Sequence, residues 1–318
     1  MVSACVRRLA AVGILLLLCA CNATGSRNGP IGKNDAEAAY WYRQAAEEGV
    51  PEAMVDYARM LWDGRGVAKD DAGAVIWLRK AIEHDSPRAT AMLGVAYLLG
   101  RGVAQDDAEG YRLLRIAADK GDLVGQRNLG VCFAEGRGVA KDEIEALRWF
   151  RLAAEQDDGE SLSFVAMMFE EGRGVAKDEA QAFEWYKKAA EKGRVSALNN
   201  IGFMYEHGKG VRQNWREAAK WYRRAAELGV PTAQVNLANF LADGKGLDKN
   251  EVEAVQWLRM AVEKNDARAQ THLARMLLDG RGTERNAEEA RALLLKAAAQ
   301  GHAPAKGLLG RLSDTSTQ

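Results

Sequence analysis

A pair of glycines separated by one residue recurs seven times along this chain, always at an interval of 36 residues. The pairs are Gly64/Gly66, Gly100/Gly102, Gly136/Gly138, Gly172/Gly174, Gly208/Gly210, Gly244/Gly246 and Gly280/Gly282. Such a period is typical of a solenoid, in which each unit is too small to close its own core and buries its apolar face on its neighbours. The repeat therefore predicts an elongated array and makes a binding surface the first place to look for function.

Within each period, one helix is predicted to begin at an Asn or Asp. The eight positions are Asn34, Asp70, Asp106, Asp142, Asp178, Asn214, Asn250 and Asn286. These side chains accept hydrogen bonds from the free amides of a first helical turn. Three residues later a Glu or Gln completes a capping box in every copy except the one with Gly73. A Trp or Leu and, four residues on, an Ala then share one face of the helix.

A second helix fills the rest of each period and ends at the glycine pair. Its earliest copy carries the stripe Ala53, Tyr57, Ala58 and Leu61, which has helical spacing and a small residue that lets a partner helix approach. The first glycine suits a left-handed cap, and the second suits a tight reversal. A phosphate-binding loop is disfavoured because the pair follows a helix and not a strand.

The first twenty residues have the character of an export signal. Arg7 and Arg8 precede an apolar run from Leu9 to Leu18, which is too short to span a bilayer as a helix. The stretch from Leu18 to Cys21 resembles the lipobox of bacterial lipoproteins, although Cys19 departs from the usual Ala or Ser. We therefore expect a lipoprotein signal peptide over 1–20 with lipidation at Cys21, while an ordinary signal peptide cut near Ala20 or Ala23 is the alternative.

Composition limits the remaining classes of function. Lysine and arginine together match aspartate and glutamate at 44 each, so nucleic-acid binding by phosphate neutralisation is not expected. The four histidines have no metal-ligand spacing, which argues against a metal site. Cys132, the one cysteine beyond the N-terminal region, falls at a step otherwise held by Met, Ala or Phe, so we expect a packed apolar site. No constellation indicates an enzyme, and no cofactor is predicted.

Residues 196–229 most fully follow a pattern that the other periods share: Ala-x-x-x-Leu-Gly-x-x-Tyr, then Gly-x-Gly-Val, then Asp-x-x-x-Ala-x-x-Trp-Tyr-x-x-Ala-Ala-Glu-x-Gly. This pattern resembles the Sel-one-like repeat family, which is related to tetratricopeptide repeats. The resemblance implies an all-α, right-handed superhelical solenoid of stacked antiparallel helix pairs. It also implies a scaffold or adaptor role.

The predicted organisation has four parts. A flexible tether over 21–33 follows the signal, a solenoid of about seven repeats plus terminal half-units covers 34–312, and a disordered tail closes the chain at 313–318.

One series of residues stands immediately before the core Leu of the glycine-terminated helices. It comprises Asp56, Met92, Asn128, Phe164, Asn200, Asn236 and His272. In tetratricopeptide relatives an Asn at this step faces the concave groove and bonds a peptide backbone or terminal carboxylate, and the resemblance carries that role onto Asn128, Asn200 and Asn236. An amide offers both a donor and an acceptor, which suits an extended chain. The alternative is that these amides bond neighbouring helices within the array.

Three residues further along the same face comes a second series. It comprises Arg59, Val95, Val131, Met167, Phe203, Asn239 and Arg275. Phe164, Met167 and Phe203 are candidates for an apolar floor under a partner, while ordinary packing between repeats is the alternative. The polar residues expected to flank this floor are Asn128, Asn200, Asn236 and Asn239, and His272 is a further candidate for partner binding.

The sequence thus predicts a non-enzymatic scaffold that binds an envelope protein or peptide. We expect it to be an outer-membrane lipoprotein facing the periplasm if the organism has two membranes, since Asn22 follows Cys21, and otherwise to be membrane-anchored or periplasmic. The alternatives are a cell-wall or β-lactam hydrolase, which the absence of paired cysteines disfavours, and a polysaccharide-export scaffold.

Overall fold

A computed structural model describes residues 33–314 of the chain. The predicted signal peptide, Cys21, nearly all of the tether and the last four residues of the predicted tail lie outside this range. Lys33 already belongs to the first helix, and the last helix continues to Asp314, so the helical region extends slightly beyond the predicted 34–312 at both ends. Shifts of this size are usual where helices begin and end.

The described residues form sixteen α-helices and no β-strand. The helices are α1 (Lys33–Glu47), α2 (Pro51–Asp63), α3 (Asp71–Glu83), α4 (Pro87–Leu99), α5 (Asp107–Asp119), α6 (Leu123–Glu135), α7 (Glu143–Glu155), α8 (Gly159–Glu171), α9 (Glu179–Glu191), α10 (Val195–His207), α11 (Trp215–Glu227), α12 (Pro231–Asp243), α13 (Glu251–Glu263), α14 (Ala267–Asp279), α15 (Ala287–Ala299) and α16 (Ala303–Asp314). The prediction of an all-α solenoid with a repeat of about 36 residues is confirmed.

The described part of the chain divides into two compact units, with the boundary between Lys177 and Asp178. In the first unit α1 to α8 are described, and each helix from α1 to α7 packs on the next along the chain. In the second unit the same is true of each helix from α9 to α15. Equivalent helices of successive repeats are also in contact: α4 contacts α6, and α12 contacts α14. Both units are therefore built from the same hairpin, repeated.

Seven of the eight predicted N-caps begin a helix, whereas Asn34 lies within α1. Asp106 accepts a hydrogen bond from the Glu109 amide at 3.0 Å, and Asn214 accepts one from the Glu217 amide at 3.1 Å. At the other end of the hairpin Gly136 adopts a left-handed conformation with φ of 75°, and its amide donates to the Cys132 carbonyl oxygen at 2.8 Å. These local signals begin the capped helices and end the glycine-terminated ones, so most of the repeat length is encoded within each unit.

In the capped helices, the residue after the predicted Trp or Leu position is the more deeply buried of the two. Tyr222 is fully buried whereas Trp221 is only half-buried, and Leu78 and Trp77 repeat this relation. The small residue of the partner helix explains the close fit, because a Cβ added at Gly202 would lie 2.7 Å from the Tyr222 ring. Burial of the Tyr222 ring beside Gly202 contributes about 2–3 kcal/mol to folding stability by removing apolar surface from water.

In five of the seven glycine pairs, the residue between the glycines is an Arg that joins successive repeats. Arg137 donates from Nη2 to Asp107 Oδ1 at 2.8 Å and to the carbonyl oxygen of Leu98. Equivalent pairs join Arg65 to Asp35, Arg101 to Asp71, Arg173 to Glu143 and Arg281 to Glu251. Each carboxylate belongs to the first turn of the preceding capped helix, so the guanidinium fixes the register of one repeat on the next.

Candidate functional site

The first unit buries most of its candidate partner-binding residues. Asn128 on α6 is 2% exposed, and its Nδ2 donates to the Val124 carbonyl oxygen of the same helix at 2.8 Å. Phe164 on α8 is 9% exposed and stacks on Phe150 with ring centroids 4.6 Å apart. Met167 is half-buried. Asn128 and Phe164 thus have the internal packing that was the alternative to partner binding, and we do not include them in the candidate site.

In the second unit the equivalent residues on α10 are more accessible. Asn200 is half-buried, and its side-chain amide makes no hydrogen bond to other residues that the structure describes. Phe203 is also half-buried; its ring lies 4.2 Å from the His207 ring and 4.9 Å from the Lys209 ammonium. These contacts keep Phe203 against its own helix and the following turn.

Three candidate residues on α12 and α14 come together. Asn236 donates from Nδ2 to Asn199 Oδ1 at 3.0 Å and accepts from Arg268 at 3.0 Å. Asn239 Oδ1 lies 2.8 Å from His272 Nδ1. All three predicted residues are half-buried, so they are partly engaged within the array and partly open.

These residues line a cavity of about 300 Å³ within the second unit, which we call the amide cavity. Asn236 and Asn239 contribute from α12, His272 and Arg275 from α14, and Glu206 from α10. Asn200 and Phe203 do not line it. Glu206 and Arg275 were not among the predicted site residues, although Arg275 belongs to the second series and Glu206 continues the α10 stripe three residues beyond Phe203.

The bond between Asn239 and His272 leaves hydrogen-bonding capacity unused. If the imidazole Nδ1 donates to Oδ1, the amide Nδ2 remains a donor and Nε2 an acceptor. If the side-chain amide is flipped so that Nδ2 donates to Nδ1, the amide oxygen remains as an acceptor and the Nε2 proton as a donor. One donor and one acceptor are therefore left in either arrangement, which is what a peptide group requires.

Burial, together with the charges of Arg275 and Arg268, lowers the pKa of His272 to about 4. The imidazole is consequently neutral at physiological pH. No hydroxyl or thiol lines the amide cavity, so it offers hydrogen bonds and charges but no Ser, Thr or Cys nucleophile.

We predict that His272→Gln reduces the acid sensitivity of the protein. Between pH 6.5 and about 4 the unfolded chain binds a proton at His272 that the folded chain does not, so folding stability falls as the pH falls through this window. The contribution is on the order of 2 kcal/mol. Urea unfolding at several pH values from 7.5 to 4.5 measures it. His84→Gln, on an exposed side chain, is the matched control, and parallel pH profiles for His272→Gln and the wild type would contradict the assignment.

Three further kinds of site bear on function among the described residues: metal sites, reactive thiols and membrane spans. Residues 33–314 contain no group of three or more His, Cys, Asp or Glu side chains arranged to hold a metal ion. Cys132 is completely buried, and burial raises the pKa of its thiol to about 12, as expected for a packed and unreactive side chain. None of the described helices has the length and apolar character needed to cross a bilayer.

Comparison with known proteins identifies the repeat. The Sel1 repeat profile matches eight successive segments: 15–50, 51–86, 87–122, 123–158, 159–193, 195–230, 231–266 and 267–302. A search of curated proteins found no match to the chain.

Two of the solved structures that resemble this chain are Sel1-type repeat proteins of bacteria. One is a protective antigen of uropathogenic Escherichia coli with an SLR fold, 34% identical over 87% of this chain with a TM-score of 0.74. The chain covers 59% of that antigen, about three fifths of its length. The other is a Sel1 repeat protein from Oxalobacter formigenes, 28% identical, with coverage of 96% of this chain and 90% of that one and a TM-score of 0.68.

The fold of such repeats is typical of scaffolds for protein–protein interaction, and proteins of this kind are generally not enzymes. The repeat period, the capped hairpins and the profile that matches them along most of the sequence agree: this chain belongs to the Sel1 repeat family.

Proposed function

We propose that this protein is a non-enzymatic adaptor of the bacterial cell envelope, and that it binds an extended segment of another protein in the amide cavity. The observation that supports the proposal is the Asn239–His272 pair, which presents one unused donor and one unused acceptor in a concave site. An extended peptide satisfies both groups through its backbone. A volume of about 300 Å³ lies at the lower end for ligand sites and suits a short segment of chain.

A photocrosslinking residue at Asp243 tests this function, because Asp243 is exposed and lies at the amide cavity. In the full chain produced in its own bacterium, we expect a protein adduct on illumination. The adduct should be lost when Asn239→Ala and His272→Ala are added, provided that circular dichroism shows the helices intact. The same crosslinker at Ile144, exposed in the first unit, is the matched control. An adduct at Asp243 that persists in the double variant would remove the amide cavity as the binding site.

We also propose that lipidation at Cys21 anchors the adaptor, with the array facing the periplasm of an organism with two membranes. The support is the sequence alone: a lipobox-like stretch ending at Cys21, followed by Asn22 and a Gly-, Asn- and Ser-rich stretch. Labelled palmitate should enter the wild type and not Cys21→Ala. Equal labelling of both proteins, or of neither, would remove the anchor.

A further inference from the structure

We infer that the amide cavity selects a segment carrying one acidic and one basic side chain, the acidic one held at Arg275 on α14 and the basic one at Glu206 on α10. The inference rests on the proposed function, because it concerns the occupant of the same site. It adds a specificity that backbone hydrogen bonds alone do not provide.

The positive end of the amide cavity is Arg275. The side chain is exposed and makes no ion pair within the described part of the chain. The two other basic residues that line the amide cavity are already engaged: Arg281 binds Glu251 at 2.8 Å, and Lys245 lies 3.6 Å from Asp243. Arg275 is therefore the cation left to bind an incoming carboxylate.

The negative end is Glu206. Tyr222 is fully buried, and its hydroxyl donates to Glu206 Oε2 at 2.7 Å. Burial raises the pKa of Tyr222, so the phenol stays protonated and acts as the donor. This bond holds the carboxylate in place, and the second oxygen, Oε1, has no hydrogen-bond partner among residues 33–314. An ammonium or guanidinium group on the occupant would complete this site.

The two charges are separated along the array. Glu206 and Arg275 lie on helices two repeats apart, with the amides of α12 between them in the sequence of repeats. Neighbouring helices pack about 8–10 Å apart, and an extended chain advances about 3.3 Å per residue. Because the Arg and Glu side chains both reach inward, the matching charges on the occupant should be about three to five residues apart.

Other residues of the amide cavity limit what the occupant can be. His272 is neutral, so it does not compete with Arg275 for the carboxylate. Asp243 is already close to Lys245, so it does not offer a second site equal to Glu206. A uniformly acidic segment would be repelled at Glu206 and a uniformly basic one at Arg275, whereas a segment with both signs in the right order meets both ends.

Selection from a library of random twelve-residue displayed peptides tests the inference on the purified protein. The wild type should enrich peptides with one acidic and one basic residue in a fixed order and spacing. Arg275→Glu should replace the acidic preference by a basic one, and Glu206→Lys should do the reverse at the other position. The double reversal should enrich the opposite order.

A synthetic peptide from the wild-type selection gives the magnitude. Its affinity should fall about tenfold or more on Arg275→Glu and return when its acidic residue is changed to Lys. Arg291→Glu, an exposed residue on α15 with the same change of net charge, should leave the affinity within about twofold.

Two results would overturn the inference, and they are distinguishable. If enriched peptides lose binding on Asn239→Ala with His272→Ala but keep their charge preference on Arg275→Glu and Glu206→Lys, the charge selection is wrong and the proposed function stands. If the folded wild type enriches no peptide, both are wrong.

Discussion

Gly138→Ala should destabilise the first unit far more than Gly136→Ala, although the two glycines share one turn and a similar backbone conformation. Their φ angles are 68° and 75°, so an alanine at either position costs about 1–2 kcal/mol in the left-handed region. A Cβ at Gly138 would in addition lie 2.0 Å from the carbonyl oxygen of Asp107, in the preceding repeat. The nearest atom to a Cβ at Gly136 is 3.4 Å away, at ordinary contact distance. We expect a loss of about 3–5 kcal/mol for Gly138→Ala and about 1–2 kcal/mol for Gly136→Ala.

Urea unfolding followed by circular dichroism compares the two variants. Gly121→Ala is a third member of the series, because Gly121 has φ of 83° and nothing within 4 Å of an added Cβ. Its effect should match that of Gly136→Ala, since both changes measure backbone strain alone. Equal losses at Gly136 and Gly138 would mean that the turn shifts freely and that the close approach between repeats is not needed for stability.

This contrast shows which parts of the fold can be predicted from the sequence. The N-caps, the capping boxes and the left-handed glycine caps are local, so their residues recur in nearly every copy and identify the helix ends that they cap. The second glycine recurs as regularly, but its main constraint is the Asp107 carbonyl oxygen in another repeat. The bond from Arg137 to Asp107 is of the same kind. The repeat pattern alone does not show which position of one repeat contacts which position of the next, because that depends on the register in which the repeats stack.

For a related reason, only part of the candidate site could be predicted from the sequence. Asn128 and Asn236 occupy the same step of the repeat, yet Asn128 bonds its own helix while Asn236 bonds Asn199 and Arg268. The difference arises from the adjoining repeats, which supply Asn199 from α10 and Arg268 from α14 as partners of Asn236. A series along one helix position therefore identifies the face but not which members are open to a partner. Glu206 was missed because its role depends on Tyr222, in the following helix.

Arg127→Met should be the most destabilising single change in the core of the first unit that leaves the backbone unaltered. Arg127 on α6 is 4% exposed, and its Nη1 lies 3.0 Å from Asp158 Oδ1 and 3.2 Å from Glu160 Oε2. Both carboxylates are also buried, at 7% exposure each. Removing the guanidinium takes away the cation that these two buried carboxylates share, and breaking a buried ion pair in this way costs about 3–5 kcal/mol. Thermal and urea unfolding measure the loss.

The cost should come from charge and not from lost volume, and a triple variant separates the two. Asp158→Asn and Glu160→Gln remove both negative charges with little change of shape, and Asn at 158 still caps α8, where the wild-type carboxylate accepts from the Ser161 amide at 2.9 Å. Added to Arg127→Met, these two changes should restore most of the stability, because buried ion pairs replaced by neutral groups are often nearly neutral in free energy. A triple variant no more stable than Arg127→Met alone would show that packing of the arginine side chain carries the effect. If the unfolding midpoint of Arg127→Met equals that of the wild type, water reaches the two carboxylates and screens their charges.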